Sequence, residues 1–147
     1  MTAKVAALTR YPIKGGPGEV LQEARLHAGF GMEGNFHQGG QRQLCVLTAE
    51  LREWMDTQAG QGICLRRFKE NLLLAGMPGG VIPPGMRLQV GGAVLKVSED
   101  LKSCYDECTL ALRGMHCRVS GSAVFAAVEH SGIVRVGDLL LHAKNIK

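Results

Sequence analysis

Residues 86–97 read MRLQV-GG-AVLKV. Two runs that alternate apolar and polar residues, joined by Gly91-Gly92, form a β-hairpin with a two-residue primed turn, the turn whose twist matches that of the flanking strands. An isolated hairpin with one apolar face is marginal in water. It must therefore be one part of a larger sheet, and the rest of the chain supplies more short strands.

Residues 4–10 (KVAALTR) make a first strand, stopped by Tyr11-Pro12 and the turn-rich KGGPG that follows. Residues 20–27 (VLQEARLH) alternate as a half-exposed strand. Residues 29–41 (GFGMEGNFHQGGQ) hold five glycines in thirteen positions and read as a long loop without regular structure, carrying Glu33, Asn35 and His37. Loops of that length in small domains often carry function. Residues 43–47 (QLCVL) form a buried strand, and Thr48 caps a helix, AELREWMDTQ, ended by Gly60 and Gly62. Residues 70–74 (ENLLL) form a strand, and segments 124–129, 133–136 and 139–142 close the chain as strands. Twenty glycines set between short apolar runs suit many tight turns. The 147 residues fit one domain, 1–147, folded as a closed, mainly β structure with one or two flanking helices.

A net charge of +4 is too mild to argue for nucleic acid, and no basic stripe interleaved with aromatics accompanies it. The N-terminal apolar run is too short for a signal peptide, and no stretch approaches transmembrane length. The expectation is a cytoplasmic protein without nucleic-acid or membrane partners. In a reducing compartment, five cysteines are not a disulfide framework.

Three of those cysteines fall within residues 98–117, SEDLKSCYDECTLALRGMHC. A helix over 105–113 would place Cys104 at its N-terminus, where backbone N–H groups, with Lys102 nearby, favour a thiolate. Cys108 and Cys117 then serve as resolving thiols. Alternatively, Cys104, Cys108 and Cys117 join His116 in a zinc site, although adjacent His-Cys ligands are awkward. Cys108 packed on the apolar helix face is an equally good reading, and Cys45 and Cys64 read as core residues. Arg42 follows Gly39-Gly40-Gln41, where a flexible backbone can approach a phosphate while the guanidinium grips it. A solvated surface arginine is as good a reading. Lys14, beside Gly15-Gly16, is a weaker phosphate candidate, and His37 is a candidate ligand-binding residue.

The order of these features resembles the MOSC domain, the C-terminal domain of molybdenum cofactor sulfurases, in its small stand-alone bacterial form. The resemblance runs through GMEGNFHQGG, RQLCVLT, FKENLLLAG, PPGMRLQVGGAVLKVSE, SCYDEC, GMHC and IVRVGDLLL. It implies a β-barrel of the pyruvate-kinase-like type. It also implies binding of the molybdenum cofactor (molybdopterin), or carriage of sulfur on a cysteine, with Cys104 as the persulfide-forming or molybdenum-ligating thiol. It marks Glu70 and Asn71 without fixing their role: either they orient a ligand as cofactor-site residues, or they serve as a polar turn that pins the barrel. A cysteine desulfurase, itself dependent on pyridoxal phosphate, is then the sulfur donor, and a molybdoenzyme the acceptor. Larger relatives that hold molybdenum through a cysteine reduce N-hydroxylated compounds, which makes a reductase component the alternative. A zinc-stabilised adaptor without catalysis is a further one. The chain departs from the family pattern at Asn35, where aspartate is frequent, and at Lys69, where glycine is. It also lacks a Pro-Arg-Glu-Gly after Cys117.

Overall fold

A computed structural model of the chain describes residues 3–36, 38–40, 43–56, 70–77, 82–98 and 125–142. Along the chain these form β1 (Lys4–Arg10), β2 (Glu19–Leu21), β3 (Glu23–His27), β4 (Gly31–Met32), β5 (Leu44–Thr48) and α1 (Ala49–Asp56). β6 (Leu72–Ala75), β7 (Arg87–Val90), β8 (Ala93–Val97), β9 (Phe125–His130), β10 (Gly132–Arg135) and β11 (Leu140–His142) follow. The protein is mainly β, as expected. Among the described residues, no helix is long and apolar enough to cross a membrane.

Eight strands pair in the order β11-β7-β8-β9-β5-β6-β1-β2, and β10-β3-β4 form a second sheet. The closed barrel expected from the sequence is corrected in one respect: neither sheet closes by strand pairing among the described residues. One antiparallel bridge, Lys4 to Leu139, links β1, next to one edge of the larger sheet, to the residue before β11 at the other. Backbone hydrogen bonds flank it, from Val5 N–H to Asp138 O (2.9 Å), from Gly137 N–H to Val5 O (2.8 Å) and from Leu140 N–H to Ala3 O (2.9 Å). A turn with Gly137 at φ 94° precedes β11.

The hairpin is as expected: Val90 pairs with Ala93, and Gly91 takes φ 56°, the left-handed region that a primed turn requires. The 20–27 strand divides. Glu19–Leu21 pairs with β1, whereas Glu23–His27 pairs with β10 and β4, and Gln22 at the break accepts Val136 N–H (3.0 Å). β3 keeps the alternation, burying Ala24 and Leu26. The glycine-rich loop is not wholly irregular either, since Gly31–Met32 adds a short strand with Met32 in the core.

Leu8, Val46, Leu72, Leu74, Leu95 and Ala126 are fully buried in one cluster. Each such leucine contributes about 1.5–3 kcal/mol relative to an exposed one. β5 and β6 run parallel, which demands a crossover, and α1 begins it. Thr48 Oγ1 accepts Leu51 N–H (3.1 Å), the expected cap, and Leu51 is buried.

Candidate functional site

β1 is antiparallel to β6 while β5 is parallel to it, so Leu8 and Val46 both stand level with Leu72. The residues just beyond that level therefore converge: Thr9 to Tyr11, Cys45 and Glu70-Asn71. Asn71, 4% exposed, is the centre. Its backbone N–H donates to Cys45 O (2.7 Å), and its carbonyl accepts Thr9 N–H (2.9 Å). Its side chain repeats the pattern. Oδ1 accepts Cys45 N–H (3.0 Å) and Nδ2 donates to Thr9 O (3.1 Å). The amide thus stands in for a ladder where β1 and β5 part, which is how buried backbone groups stay paired at a strand end.

Asn71 Nδ2 also donates to Asn35 Oδ1 (3.2 Å), and the same oxygen accepts Tyr11 N–H (2.9 Å). Phe36 N–H donates to Tyr11 O (2.8 Å), so the glycine-rich loop is pinned against the end of β1. Gly34, at φ 82°, lies so close to Arg10 that a Cβ there would sit 2.7 Å from the arginine Cδ. Arg10 is paired with Glu19.

Glu70, just before β6, forms an ion pair with Arg52 of α1, and Arg52 also reaches Asp56 one turn on (3.7 Å). The Tyr11 phenol is pushed above its ordinary range, first by burial and then by the Glu70 carboxylate; Arg52 opposes this and Cys45 adds to it. A raised phenol favours the neutral form, so the stability it lends is present below pH 10 and lost as pH climbs through the raised value. Absorbance titration should show a phenol ionising above the ordinary tyrosine range that disappears in Tyr11→Phe; an ordinary titration for Tyr11 would contradict its burial against Glu70.

Glu70 and Asn71 are thus brought together, with Asn71 buried and fully used in holding other residues. Lys14 stands apart on an exposed turn, where Gly16 N–H donates to Ile13 O (2.9 Å), three residues beyond Tyr11. Cys45, expected in the core, is only half-buried, because alternation along β5 sends Leu44 and Val46 inward and Cys45 to the opposite face. Tyr11, Arg52 and Cys45 were not legible as site residues. They come from three separate elements, and no spacing links them.

His37, Arg42, Cys64, Cys104, Cys108, His116, Cys117 and the helix expected over 105–113 lie outside the described residues. The flanks of segment 99–124 are described. Ser98 follows β8, Phe125 opens β9, and Ser98 N–H donates to Phe125 O (2.8 Å). Phe125 is the register partner of Cys45. The cysteine-bearing segment therefore leaves and rejoins the sheet at the end that holds Cys45, Glu70 and Asn71.

Gly39 and Gly40 take φ 79° and 70°, with nothing within 4 Å of where a Cβ would stand. The backbone there is open beside the pinned loop. Among the described residues no three His, Cys, Asp or Glu side chains gather as a metal cage. A metal that arrives with its own sulfur ligands asks the protein for one soft thiolate, not a cage.

The fold and this end of it define a small mainly β domain with a cluster of hydrogen-bonded and ion-paired side chains at its strand ends and adjoining loop. The chain belongs to the MOSC domain family, whose model matches residues 33–140. YuaD from Bacillus subtilis has a similar structure, with a TM-score of 0.64 at 18% identity over 95% of this chain and 94% of that one. YiiM from Escherichia coli superposes with a TM-score of 0.61 at 19% identity, over 98% of this chain and 71% of that one. A structure described as a hypothetical protein gives 0.69 at 21% identity, over 100% of this chain and 69% of that one. These likenesses are of fold. Among curated proteins, none matches the chain.

Proposed function

We propose that this MOSC domain binds molybdenum cofactor or carries sulfur, with Cys104 as the working thiol. The observation that supports it most is the placement of Ser98 and Phe125. The segment bearing Cys104, Cys108 and Cys117 is anchored at both flanks beside Glu70, Asn71 and Cys45. In the sulfur-carrier reaction the Cys104 thiolate attacks the terminal sulfur of a donor persulfide, held on a cysteine desulfurase. A new S–S bond forms on Cys104, the donor's S–S bond breaks, and the donor cysteine leaves as thiolate. Onward, the Cys108 or Cys117 thiolate attacks Cys104 Sγ: a disulfide to Cys104 forms and the persulfide S–S bond breaks. The outer sulfur leaves as hydrosulfide for the molybdoenzyme, and a dithiol reductant then reopens the disulfide.

In the cofactor reading, Cys104 is the thiolate that meets molybdenum. Gly39, Gly40, Arg42 and His37 would hold the pterin and its phosphate, while Glu70, paired with Arg52, would orient the wall. When bound, molybdenum supplies two-electron redox chemistry. The chain's own part is to position and desolvate the cofactor and to keep the thiol ionised.

Metal and pterin analysis of the purified chain tests this. Molybdenum with a pterin in the wild type, lost in Cys104→Ala at unchanged melting temperature, is the result expected for cofactor binding. Stoichiometric zinc whose removal unfolds the protein would sink both forms of the proposal and leave a zinc-stabilised module.

A further inference from the structure

The contact between Asn35 and Asn71 has a direction. Asn71 uses Oδ1 for Cys45 N–H, which leaves Nδ2 to face both the Thr9 carbonyl and Asn35. Asn35 must answer with its own oxygen, the atom that also accepts Tyr11 N–H. Turning the Asn71 amide over would set oxygen against two acceptors and NH2 against a donor. An amide orientation is assigned from its network, and this network allows one. Each residue is 4% exposed, so water is a poor substitute for a lost partner.

We infer that the pair is a one-way latch, donor at 71 and acceptor at 35, which holds the glycine-rich loop against the ends of β1 and β5. Met32 anchors the loop's first half by burial, but Phe36, next to the latch, is 44% exposed. There the attachment is two hydrogen bonds, Phe36 N–H donating to Tyr11 O and Tyr11 N–H donating to Asn35 Oδ1. Asn71 also grips both the N–H and the carbonyl of Cys45, so one residue sets the loop and the strand bearing that thiol. Asn35 and Asn71 are positioning residues. That they position a ligand or sulfur site rests on the function proposed above; the latch itself does not.

The latch asks for an acceptor at 35 and a donor at 71, which separates the two positions experimentally. Hydrogen exchange on the full chain, compared with wild type at the same pH, reads the latch through the amides of Tyr11 and Phe36. Asn35→Asp keeps an acceptor and should preserve their protection. Asn35→Leu should lower it by about tenfold or more, the equivalent of one buried hydrogen bond. Asn71→Asp at neutral pH sets a carboxylate against the Thr9 and Asn35 oxygens and should do the same, with Ala93 of the hairpin unaffected. Acidification should restore part of it, because the introduced carboxyl, once protonated, donates one hydrogen bond. Among the described residues, Tyr11 just after β1, Cys45 on β5, Glu70 just before β6 and Arg52 on α1 are titratable groups near it.

Equal loss in Asn35→Asp and Asn35→Leu would overturn the latch, as would full protection in Asn71→Asp at neutral pH. If Asn71→Asp does not fold, the two Asn35 variants decide. A latch that behaves as expected while Cys104 takes up neither sulfur nor cofactor supports the latch and counts only against the proposed function.

Discussion

Replacing Gly132 by alanine is expected to cost about 3 kcal/mol or more, at the upper end of overpacking effects, because the added Cβ would enter backbone. It would lie 2.2 Å from the Gly92 carbonyl carbon, 2.3 Å from its oxygen and 2.6 Å from Ala93 N. None of these is the flexible end of a side chain. Relief requires the tip of the β7–β8 hairpin to lift off β10, which breaks the bond from Gly92 N–H to Ile133 O (3.1 Å). The other turn glycine is no refuge, since a Cβ on Gly91 would sit 2.5 Å from Asp138 Oδ2 and 2.7 Å from Ile133 O. For a chain of this size the loss corresponds to a melting temperature lower by roughly 10 °C, measured by circular dichroism. Gly39→Ala is the contrast. Its Cβ would meet nothing within 4 Å, so only the φ of 79° opposes it, at about 1 kcal/mol. Equal melting of the two variants would show that the crossing of β10 over the hairpin is not close.

Cys104→Ala should abolish loading of sulfane sulfur from a desulfurase donor, with Cys108→Ala and Cys117→Ala retaining loading but releasing the sulfur more slowly. The asymmetry follows from the chemistry proposed: one thiolate must attack first, and its neighbours act only on the persulfide already formed. Cys104 should also be alkylated faster than Cys45 at neutral pH. Cys45 is the comparison because it is half-buried at the same end of the sheet. The reactive species is the thiolate, so a rate no higher than that of Cys45 means that Cys104 is not activated. Loading that survives Cys104→Ala and fails in Cys117→Ala would move the working thiol to the other end of the segment.

The hairpin and the first strand were legible in the sequence, because alternation and Gly91-Gly92 are local signals with a period of two. The break at Gln22 was not. Val20 and Leu26 belong to one alternating run, yet pairing with β1 claims the first half and pairing with β10 the second. A strand's partner is a long-range choice, and alternation does not name it. Closure of the larger sheet is similar: abundant short strands suggest a barrel, but only the position of Lys4 against Leu139 reduces closure to a single bridge.

The site divides in the same way. Sequence determined that this chain carries a glycine-rich loop, a Glu70-Asn71 pair before a strand and a cysteine-bearing segment after a hairpin, since each is written in consecutive residues. Only the tertiary structure decided that the loop, the Glu70-Asn71 pair and the two described flanks of that segment, Ser98 and Phe125, lie at one end of one sheet, with Tyr11, Cys45 and Arg52 among them. It also decided that Asn71 serves by holding Cys45, Thr9 and Asn35 in place. The physical reason is that β5 and β6 are parallel while β1 and β6 are antiparallel, so three chain ends distant in sequence stop at one level. The polar groups freed there must find partners in each other, and which partners they find is a property of the register rather than of any stretch of residues.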